Sequence, residues 1–545
     1  LTIQEEKELA NYVIRRFDQM NEEKSNWTNL FDEVLELYLP RKSFVFDKTT
    51  QGQKKTRVVS SVGIQANEVH ANALHSFLTN PTVQFFEYYT GDPQIDTDIE
   101  VKKFLDMRTE LAHSVLNESN FHTEVHENYL DLGVLGTDVL RMEDDKDQII
   151  RFEARPIYDY VIAENPYGVV DQVGREKLFT GDNIVRKYGT DWIEKFYADS
   201  PGMAQDFIQK LLKDTRQKFK IIEFIQPKEI YKNHKIKIIN RPFVMATVFA
   251  EKNMLIKQNG YNEELYAVSR LTKSSHEVYG RSHAMKTLPD MLSLNELQRV
   301  VIQGAQMNSK PPVVLTDDGG YPGFRMHPGA VNYRRPGADA PIAFNPNSRH
   351  DIGVDMLERL TTAVKNGFNN DKLELPNFQR ATTLEVQAKR DEDLRSLSPM
   401  LARQHNEKLV PLVRRLDALC ERAGIFKDLK IPKLLENKSI GIKYSSQIAR
   451  VQKTVLAENA NKWLASIQNA AQMNPEMIDN IDFDAFVKYQ AFSLSAPSYL
   501  LRTEGDVQAL RKQRADQQAD QMEREAALQD SQTAKQSADA LQKIS

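Results

Sequence analysis

The stretch Ser282-His-Ala-Met-Lys-Thr-Leu-Pro-Asp-Met-Leu-Ser-Leu-Asn-Glu-Leu-Gln-Arg-Val-Val-Ile-Gln-Gly-Ala-Gln-Met-Asn-Ser309 sets the reading of the whole chain. Met285, Leu288, Leu292, Asn295, Arg299 and Ile302 fall on one stripe at helical spacing. Leu294, Leu297, Val301 and Ala305 fall on a second. A helix apolar on more than one face packs against more than one neighbour. Pro289 either kinks this helix or marks its first turn, and Lys310-Pro311-Pro312 ends it.

Downstream the character changes at once. From 311 to 347 the chain is punctuated by Pro311, Pro312, Gly319, Gly320, Pro322, Gly323, Pro328, Gly329, Pro336, Gly337, Pro341 and Pro346. Between these turn residues lie short strand-like runs, Val313–Leu315 and Ala330–Tyr333, so a small turn-rich β module is expected. From Gly319 to His350 it carries Arg325, Arg334, Arg335 and Arg349 against Asp339. Helical spacing returns at Ile352, Met356, Leu360 and Val364 and breaks at Gly367-Phe-Asn-Asn370. A long helix then starts at Thr382 or Thr383, bends at Ser398-Pro399 and Pro411, and stops at Gly424. Residues 445–495 read as helical. After Gly505 there is no Gly, Pro or aromatic residue, and Gln and Ala supply 17 of the last 40 residues, so that tail is a helix or is disordered.

Upstream, Leu9, Val13, Phe17 and Met20 mark a first helix. Trp27, Phe31, Val34, Leu35 and Tyr38 mark a second, with Asn26 as its cap and Pro40 as its stop. The basic run Arg41 to Arg57 reads as an exposed loop, a solvated one ahead of a nucleic-acid contact. A third helix is expected from Ser61 to Asn80, before Pro81. Residues 100–138 are again helical. Val139–Met142 and Ile149–Ala154 flank a turn and predict a hairpin. Asn165-Pro-Tyr-Gly168 supplies a further turn, and Lys220–Ile225, Lys235–Ile239 and Phe243–Phe249 read as strands. The block from 139 to about 275 is therefore expected to be a mostly β insert.

The 545 residues allow roughly three or four domain-sized units. At 41% apolar and 27% charged residues, most of the chain should fold. No run approaches the ~18 apolar residues of a membrane span, and the first residues lack a charged-then-apolar signal, so a soluble cytoplasmic chain is expected. One cysteine, Cys420, follows Leu416 and Leu419 in a helical pattern and reads as a small core residue. A net charge of −4 is not that of a protein that grips phosphates.

Motifs for catalysis are missing. His122-Thr-Glu-Val-His126, with His113 upstream, puts two histidines on one helix face, but the glutamate does not follow the first histidine as zinc-protease spacing requires. There is no phosphate-cradling G-x-x-x-x-G-K-[ST] and no G-x-S-x-G elbow. Asp144-Asp145 and Asp317-Asp318 lie in expected turns. Neither cofactor nor metal is expected.

The order of these segments resembles the portal, or head-to-tail connector, family of short-tailed bacteriophages. The resemblance extends to about residue 500. Its carriers are Trp27 through Tyr38-Leu-Pro40, and Leu74-His-Ser-Phe-Leu-Thr-Asn-Pro81 followed by Phe85-Phe86. Further carriers are Glu277-Val-Tyr-Gly-Arg281 with Leu288-Pro-Asp290 and Leu294-Asn295, and Ala381-Thr-Thr-Leu-Glu-Val-Gln387 with Arg390-Asp-Glu392. Ile442-Lys-Tyr-Ser-Ser446 matches more weakly.

The resemblance implies an α+β, predominantly helical portal-type subunit that assembles into a ring, usually of twelve. Residues 1–280 would form a wing, 281–310 and 348–367 a pair of stem helices, and 311–347 the clip between them. Residues 368–381 would form the channel loop, 382–444 the long helix returning to the wing, and 445–545 a helical crown and tail. It implies passage of double-stranded DNA during packaging and ejection. The implied partners are the terminase large subunit, a tail adaptor or tail tube protein, and the capsid and scaffolding proteins. It implies a place at the head–tail junction of the virion, assembly in the host cytoplasm, and no enzymatic activity. On that frame Lys372, Asn377, Gln379 and Arg380 are candidates for polar contact with DNA, partly offset by Asp371 and Glu374, with Leu373, Leu375 and Phe378 anchoring the loop. Arg325, Arg334, Arg335 and Arg349 are candidates for protein contacts at the clip. Leu288, Leu292, Leu294, Leu297, Val301 and Ile302 are candidates for packing between subunits. The alternatives are another virion ring, such as a tail adaptor, and a metal-dependent nuclease or hydrolase.

Overall fold

The computed structural model describes residues 2–43, 58–96, 98–213, 216–231, 234–238, 240–310, 313–316, 325, 327, 329–334, 350–373, 383–435, 438, 440–444, 456–467, 481–494, 500, 502 and 504–542. The chain opens with α1 (Ile3–Tyr38), α2 (Val62–Leu78), β1 (Phe86–Tyr89), the single turn α3 (Pro93–Asp96), α4 (Ile99–Glu118) and α5 (Phe121–Leu135). Strands β2 (Thr137–Asp145), β3 (Ile149–Pro156), β4 (Tyr160–Glu164) and β5 (Val170–Thr180) follow. Three short helices come next, α6 (Gly181–Tyr188), α7 (Asp191–Phe196) and α8 (Pro201–Lys213). Then come β6 (Lys218–Pro227), β7 (Phe243–Phe249), β8 (Met254–Tyr261), β9 (Tyr266–Arg270) and α9 (His283–Ser309). The sequence continues with β10 (Val313–Thr316), β11 (Val331–Arg334), α10 (His350–Gly367), α11 (Asn370–Leu373), α12 (Thr383–Gln404) and α13 (Val410–Ala423). It closes with β12 (Gly441–Tyr444), α14 (456–467), α15 (Phe483–Ser493) and α16 (Glu504–Gln542). The fold is α+β and predominantly helical.

Two compact units form. One holds residues 1–85 and 112–424, the other 86–111 and 425–545. In the first, α1 is a single helix, started by a capping box in which Glu5 N donates to Thr2 Oγ1 and Thr2 N to Glu5 Oε2. It does not restart at Asn26, which is an exposed mid-helix residue. The join is held by Lys24, whose Nζ is buried and donates to the carbonyl of Tyr160 at 3.0 Å and to that of Tyr158.

The insert has two antiparallel sheets, in the orders β3-β2-β9 and β4-β5-β6-β7-β8. Alternation along β6 splits its side chains between two cores. Ile222 and Phe224 pack with Ala10, Val13, Phe17 and Met20 of α1. Phe219 and Ile221 pack with Ile184, Trp192 and Leu211 of α6, α7 and α8. Strands β2 to β9 make up most of the regular structure of the insert, and the three helices at 181–213 interrupt them. Lys235–Ile239 is a correction: 235–238 pair with no strand, and 239 lies outside the described residues. Side chains pin the run instead, Lys235 Nζ on Glu5 (2.7 Å) and Lys237 N on Gln258 Oε1 (2.9 Å).

Another core joins Phe31, Val34, Leu35 and Tyr38 of α1 to Val134 and Leu135 of α5, Leu288, Met291 and Leu294 of α9, and Val364 and Phe368. Gly136 ends α5 in the left-handed region at φ 72°, and a Cβ there would lie 2.5 Å from the carbonyl oxygen of Gly280, so only glycine fits. In the second unit, β1 pairs antiparallel with β12, Phe86 opposite Tyr444. Arg108 lies over the rings of Tyr88 and Phe426.

Candidate functional site

The two stripes of α9 act in different places. Its first half is core: Ala284, Leu288, Met291 and Leu294 are buried, and Asn295 Oδ1 accepts from the backbone N–H groups of Val59 (2.7 Å) and Ser60 (3.2 Å). Ser282 caps the helix, its Oγ accepting from Met285 N at 2.9 Å, so Pro289 lies inside the helix and not in its first turn. From Glu296 to Lys310 no described side chain is buried. The same holds on α10 from Gly353 to Ala363, until Val364 enters the core. The distal halves of α9 and α10 therefore form an arm outside the core. The helices approach closely, since a Cβ on Gly353 would lie 3.3 Å from Val301 Cγ2.

The arm carries apolar surface on both helices: Leu292 (41% exposed), Val300 and Ile302 on α9, Val354 and Met356 on α10. Leu297 and Val301 are half-buried. Leu288 and Leu294 correct the sequence reading. At 8% and 1% exposure they are spent inside the subunit's own core and offer nothing to a neighbour.

Beyond the arm, β10 and β11 pair in parallel, Val313 opposite Val331 and Thr316 opposite Arg334. The strand-like runs read from the sequence are thus present, and the backbone of Arg325 is tied to Asn332 by Arg325 N→Oδ1 (2.6 Å) and Nδ2→O (2.9 Å). The Arg325 side chain is exposed. Arg335 and Arg349 lie outside the described residues.

The break after α10 is a built turn. Phe368 is fully buried, with ring centroids 5.5 Å from Tyr38, 6.1 Å from His70 and 5.8 Å from His283. His70 Nδ1 lies 3.2 Å from the Phe368 carbonyl oxygen. Burial, then the neighbouring His283, holds His70 well below the usual histidine range, and burial holds His283 to about 4. Asn369 takes φ 58° and Asn370 is buried. Lys372 follows on α11, half-buried, with Asp371 exposed beside it. Asn377, Gln379 and Arg380, with Glu374, Leu375 and Phe378, lie outside the described residues.

The long helix returns to the sheets through a feature that the sequence reading missed. Helix α12 runs through Pro399 and passes into a π-helical turn, His405–Leu409, before α13, where Val410 N donates to His405 O five residues back. Pro411 has no N–H for the carbonyl of Glu407, so the helix widens just ahead of the proline instead of bending at it. The turn presents Gln404 and Lys408, both fully buried, to β2 and β9. Lys408 Nζ pairs with Asp138, Ser269 Oγ lies on Asp138 and 2.8 Å from Gln404 Oε1, and Gln404 Nε2 donates to the Arg270 carbonyl at 2.9 Å. Glu407 accepts from Arg270 N and Nη2, both at 2.8 Å. Burial pushes Asp138 up and Lys408 down, each opposed by its partner. Gly424 closes α13 in the left-handed region, as its position predicts.

His122 and His126 do share a face of α5, but their neighbour is His75 of α2, at ring centroids 5.7 and 6.1 Å, and not His113, which packs on Phe85. Their Nε2 atoms bond Asn117 (2.9 Å) and Asn72 (2.8 Å). Among the described residues no group of three histidine, cysteine or carboxylate side chains is placed to hold a metal ion, and no helix is long and apolar enough to cross a membrane.

Comparison with known proteins fits this arrangement. The chain matches the family described as bacteriophage head to tail connecting protein over residues 10–501. It is 26% identical over 534 residues to a probable portal protein of Bordetella phage BPP-1, spanning 95% of this chain and 92% of that protein. It is 24% identical over 523 residues to a portal protein of Salmonella phage epsilon15, spanning 93% and 91% respectively. The match covers the arm, the turn and both sheets together, and the chain belongs to the bacteriophage head-to-tail connecting protein family.

Proposed function

We propose that this chain closes with copies of itself, twelve in the family's usual ring, into a portal at the head–tail junction of the virion, and that double-stranded DNA passes through the bore during packaging and ejection. The arm carries this reading. A ring needs two different faces per subunit, because its interfaces are head-to-tail. In the antiparallel helix pair, Val300 and Ile302 of α9 and Val354 and Met356 of α10 are each two residues apart, so each helix carries exposed apolar side chains on nearly opposite sides. Each such side chain is about half exposed in the single subunit, so each forgoes roughly 1 kcal/mol of burial.

Residues 311–347 act as the clip, where Arg325, Arg334, Arg335 and Arg349 meet the terminase motor and later the tail adaptor. The segment from 368 to 381 lines the bore, with Lys372, Asn377, Gln379 and Arg380 toward phosphate. Charge supports this division. Twelve copies at −4 each carry a formal −48. A ring neutralising 6–10 phosphates would change its affinity for DNA by about 10³–10⁵ between 50 and 200 mM salt and would hold the polymer it must release. Mixed-sign contacts let it slide. No catalytic step is assigned to this chain; force comes from the motor. The tail-adaptor alternative is disfavoured by two portal-named relatives matched over nine-tenths of both lengths.

Electron microscopy of the purified chain tests the proposal. Annular particles with an axial opening wide enough for a duplex are expected, and Ile302→Glu, at an exposed apolar position of α9, should leave monomers. Compact particles without a hole, or rings indifferent to Ile302→Glu, would refute it.

A further inference from the structure

We infer that Phe368 is the positioning residue of the bore-lining segment, a fixed fulcrum that sets where the segment leaves the arm and passes load on it to α1 and α2. The inference rests on the channel reading above.

The knot around this ring joins four elements. Tyr38 comes from the end of α1, His70 from α2, His283 from the first turn of α9, and Phe368 itself from just past α10. A carbonyl oxygen only accepts, so His70 Nδ1 must carry the proton that meets the Phe368 carbonyl, which fixes the tautomer and leaves Nε2 as a lone pair. That Nε2 is buried and has no hydrogen-bond partner, and neither has His283 Nε2. A second proton on His70 would set a cation against the His283 ring, 4.8 Å away. Both imidazoles therefore serve as neutral, shaped walls. The approach of α10 is equally constrained. A Cβ on Gly367 would lie 2.0 Å from Thr287 Cγ2, and Thr287 is itself held by Tyr38, Oγ1 to hydroxyl at 2.7 Å. Phe368 N is shared between the carbonyls of Val364 (3.3 Å) and Lys365 (3.1 Å), and the left-handed Asn369 turns the chain into buried Asn370. Unsatisfied buried nitrogens and a left-handed asparagine are costs that a solvent-exposed turn would not carry. They are sustained here because the surroundings over-determine one geometry.

The test uses the full-length chain with Phe368→Leu, which keeps an apolar side chain but loses the ring contacts. Asn370→Cys reports the local state, and buried Cys420, the one native thiol, reports global opening. Well below the unfolding temperature, Phe368→Leu should raise the thiol-labelling rate at position 370 at least tenfold while Cys420 stays protected. Rings should still form, and DNA retained in filled particles should fall at least tenfold. Unchanged labelling with unchanged retention overturns the inference. Simultaneous labelling of Cys420 also overturns it, because the residue is then merely structural. If Phe368→Leu does not fold, Gly367→Ala displaces the same turn through Thr287 and is read by the same criteria. Lys372→Ala with Arg380→Ala separates the two claims. If that pair impairs retention and Phe368→Leu does not, the fulcrum fails and the channel reading stands. If neither does, the channel reading fails and takes the fulcrum with it.

Discussion

Lys408→Met should be among the most damaging substitutions in the chain at neutral pH, and the damage should be repaired by a second substitution. Lys408 and Asp138 are both fully buried and pair with each other across the seam between the π-helical turn and β2. Removing one partner of such a pair strands the other charge away from water, which costs about 3–5 kcal/mol. The Ser269 N–H, at 3.2 Å from Asp138, offsets only part of this, because the Ser269 hydroxyl has one proton to divide between Asp138 and Gln404. Methionine fills nearly the same volume, so cavity formation adds little.

The pH dependence follows with a definite sign. Burial already raises Asp138 above its ordinary 3.8, and losing Lys408 raises it further. Between that raised value and 3.8 the folded chain binds a proton that the unfolded chain does not, so the variant gains stability as pH falls, by up to about 1.4 kcal/mol per pH unit. The deficit against the parent therefore narrows toward pH 4. Replacing both partners, Asp138→Asn with Lys408→Met, removes both charges and should return stability to within about 1 kcal/mol of the parent. Urea unfolding followed by far-ultraviolet circular dichroism at pH 7.5, 6 and 5 measures all three. A single-variant loss below about 1 kcal/mol, or a double variant no better than the single, would show that the pair does not carry the seam.

Other consequences are open to simpler measurement. His75 and His283 are held to about 4 by burial, and burial also holds His70 well below the usual histidine range, so each is neutral in the folded chain and takes a proton near 6.5 once unfolded. Their contribution is complete above pH 6.5 and is lost as pH falls toward 4; Asp131, raised to about 6 by burial, acts in the opposite sense over part of that window. The thermal midpoint should fall across it, less steeply in His283→Gln, and equal slopes would contradict the assignment. Gly136→Ala should cost more than the about 1–3 kcal/mol of left-handed strain alone, since a Cβ there meets the Gly280 carbonyl oxygen at 2.5 Å, and a loss no larger than that strain would refute the crowding argument. Arg334→Glu with Arg335→Glu should block motor docking while rings still form, and normal packaging by that variant would remove the clip from the docking surface.

The elements that define the arm were legible because their signals are local. Two stripes on 282–309, the Pro/Gly run after it and the break at Gly367 require no knowledge of distant residues. The hairpin of β2 and β3 and the stop at Gly424 are of the same kind. Where the reading failed, distant partners overrode local preference. Asn26 is a good cap residue in the middle of a helix, because buried Lys24 ties that turn to the sheet. Lys235–Ile239 alternates like a strand but is held by side chains. Helix α8 did carry a signal, with Ala204, Phe207, Ile208 and Leu211 at helical spacing, and it was submerged in a block read as β. Of the expected loop anchors, Leu375 and Phe378 lie outside the described residues, and the anchor that the described residues add is Phe368, just past the glycine. Only the convergence of Tyr38, His70 and His283 makes it an anchor, and that convergence is tertiary.

The segment between Phe368 and Gln404 is therefore tied at both ends to the rest of the first unit, by unlike chemistry. At one end an apolar ring sits in a pocket of aromatic and imidazole rings. At the other a widened helix turn sets Gln404, Glu407 and Lys408 into a buried polar socket on β2 and β9. The ring is worth roughly 1.5–3 kcal/mol of burial and is lost gradually as its contacts loosen. The socket costs about 3–5 kcal/mol to breach at a single residue, because a stranded charge has nowhere to go. Both ends are therefore fixed points, and a load on the segment between them is carried into α1 and α2 at Phe368 and into β2 and β9 at the π-helical turn.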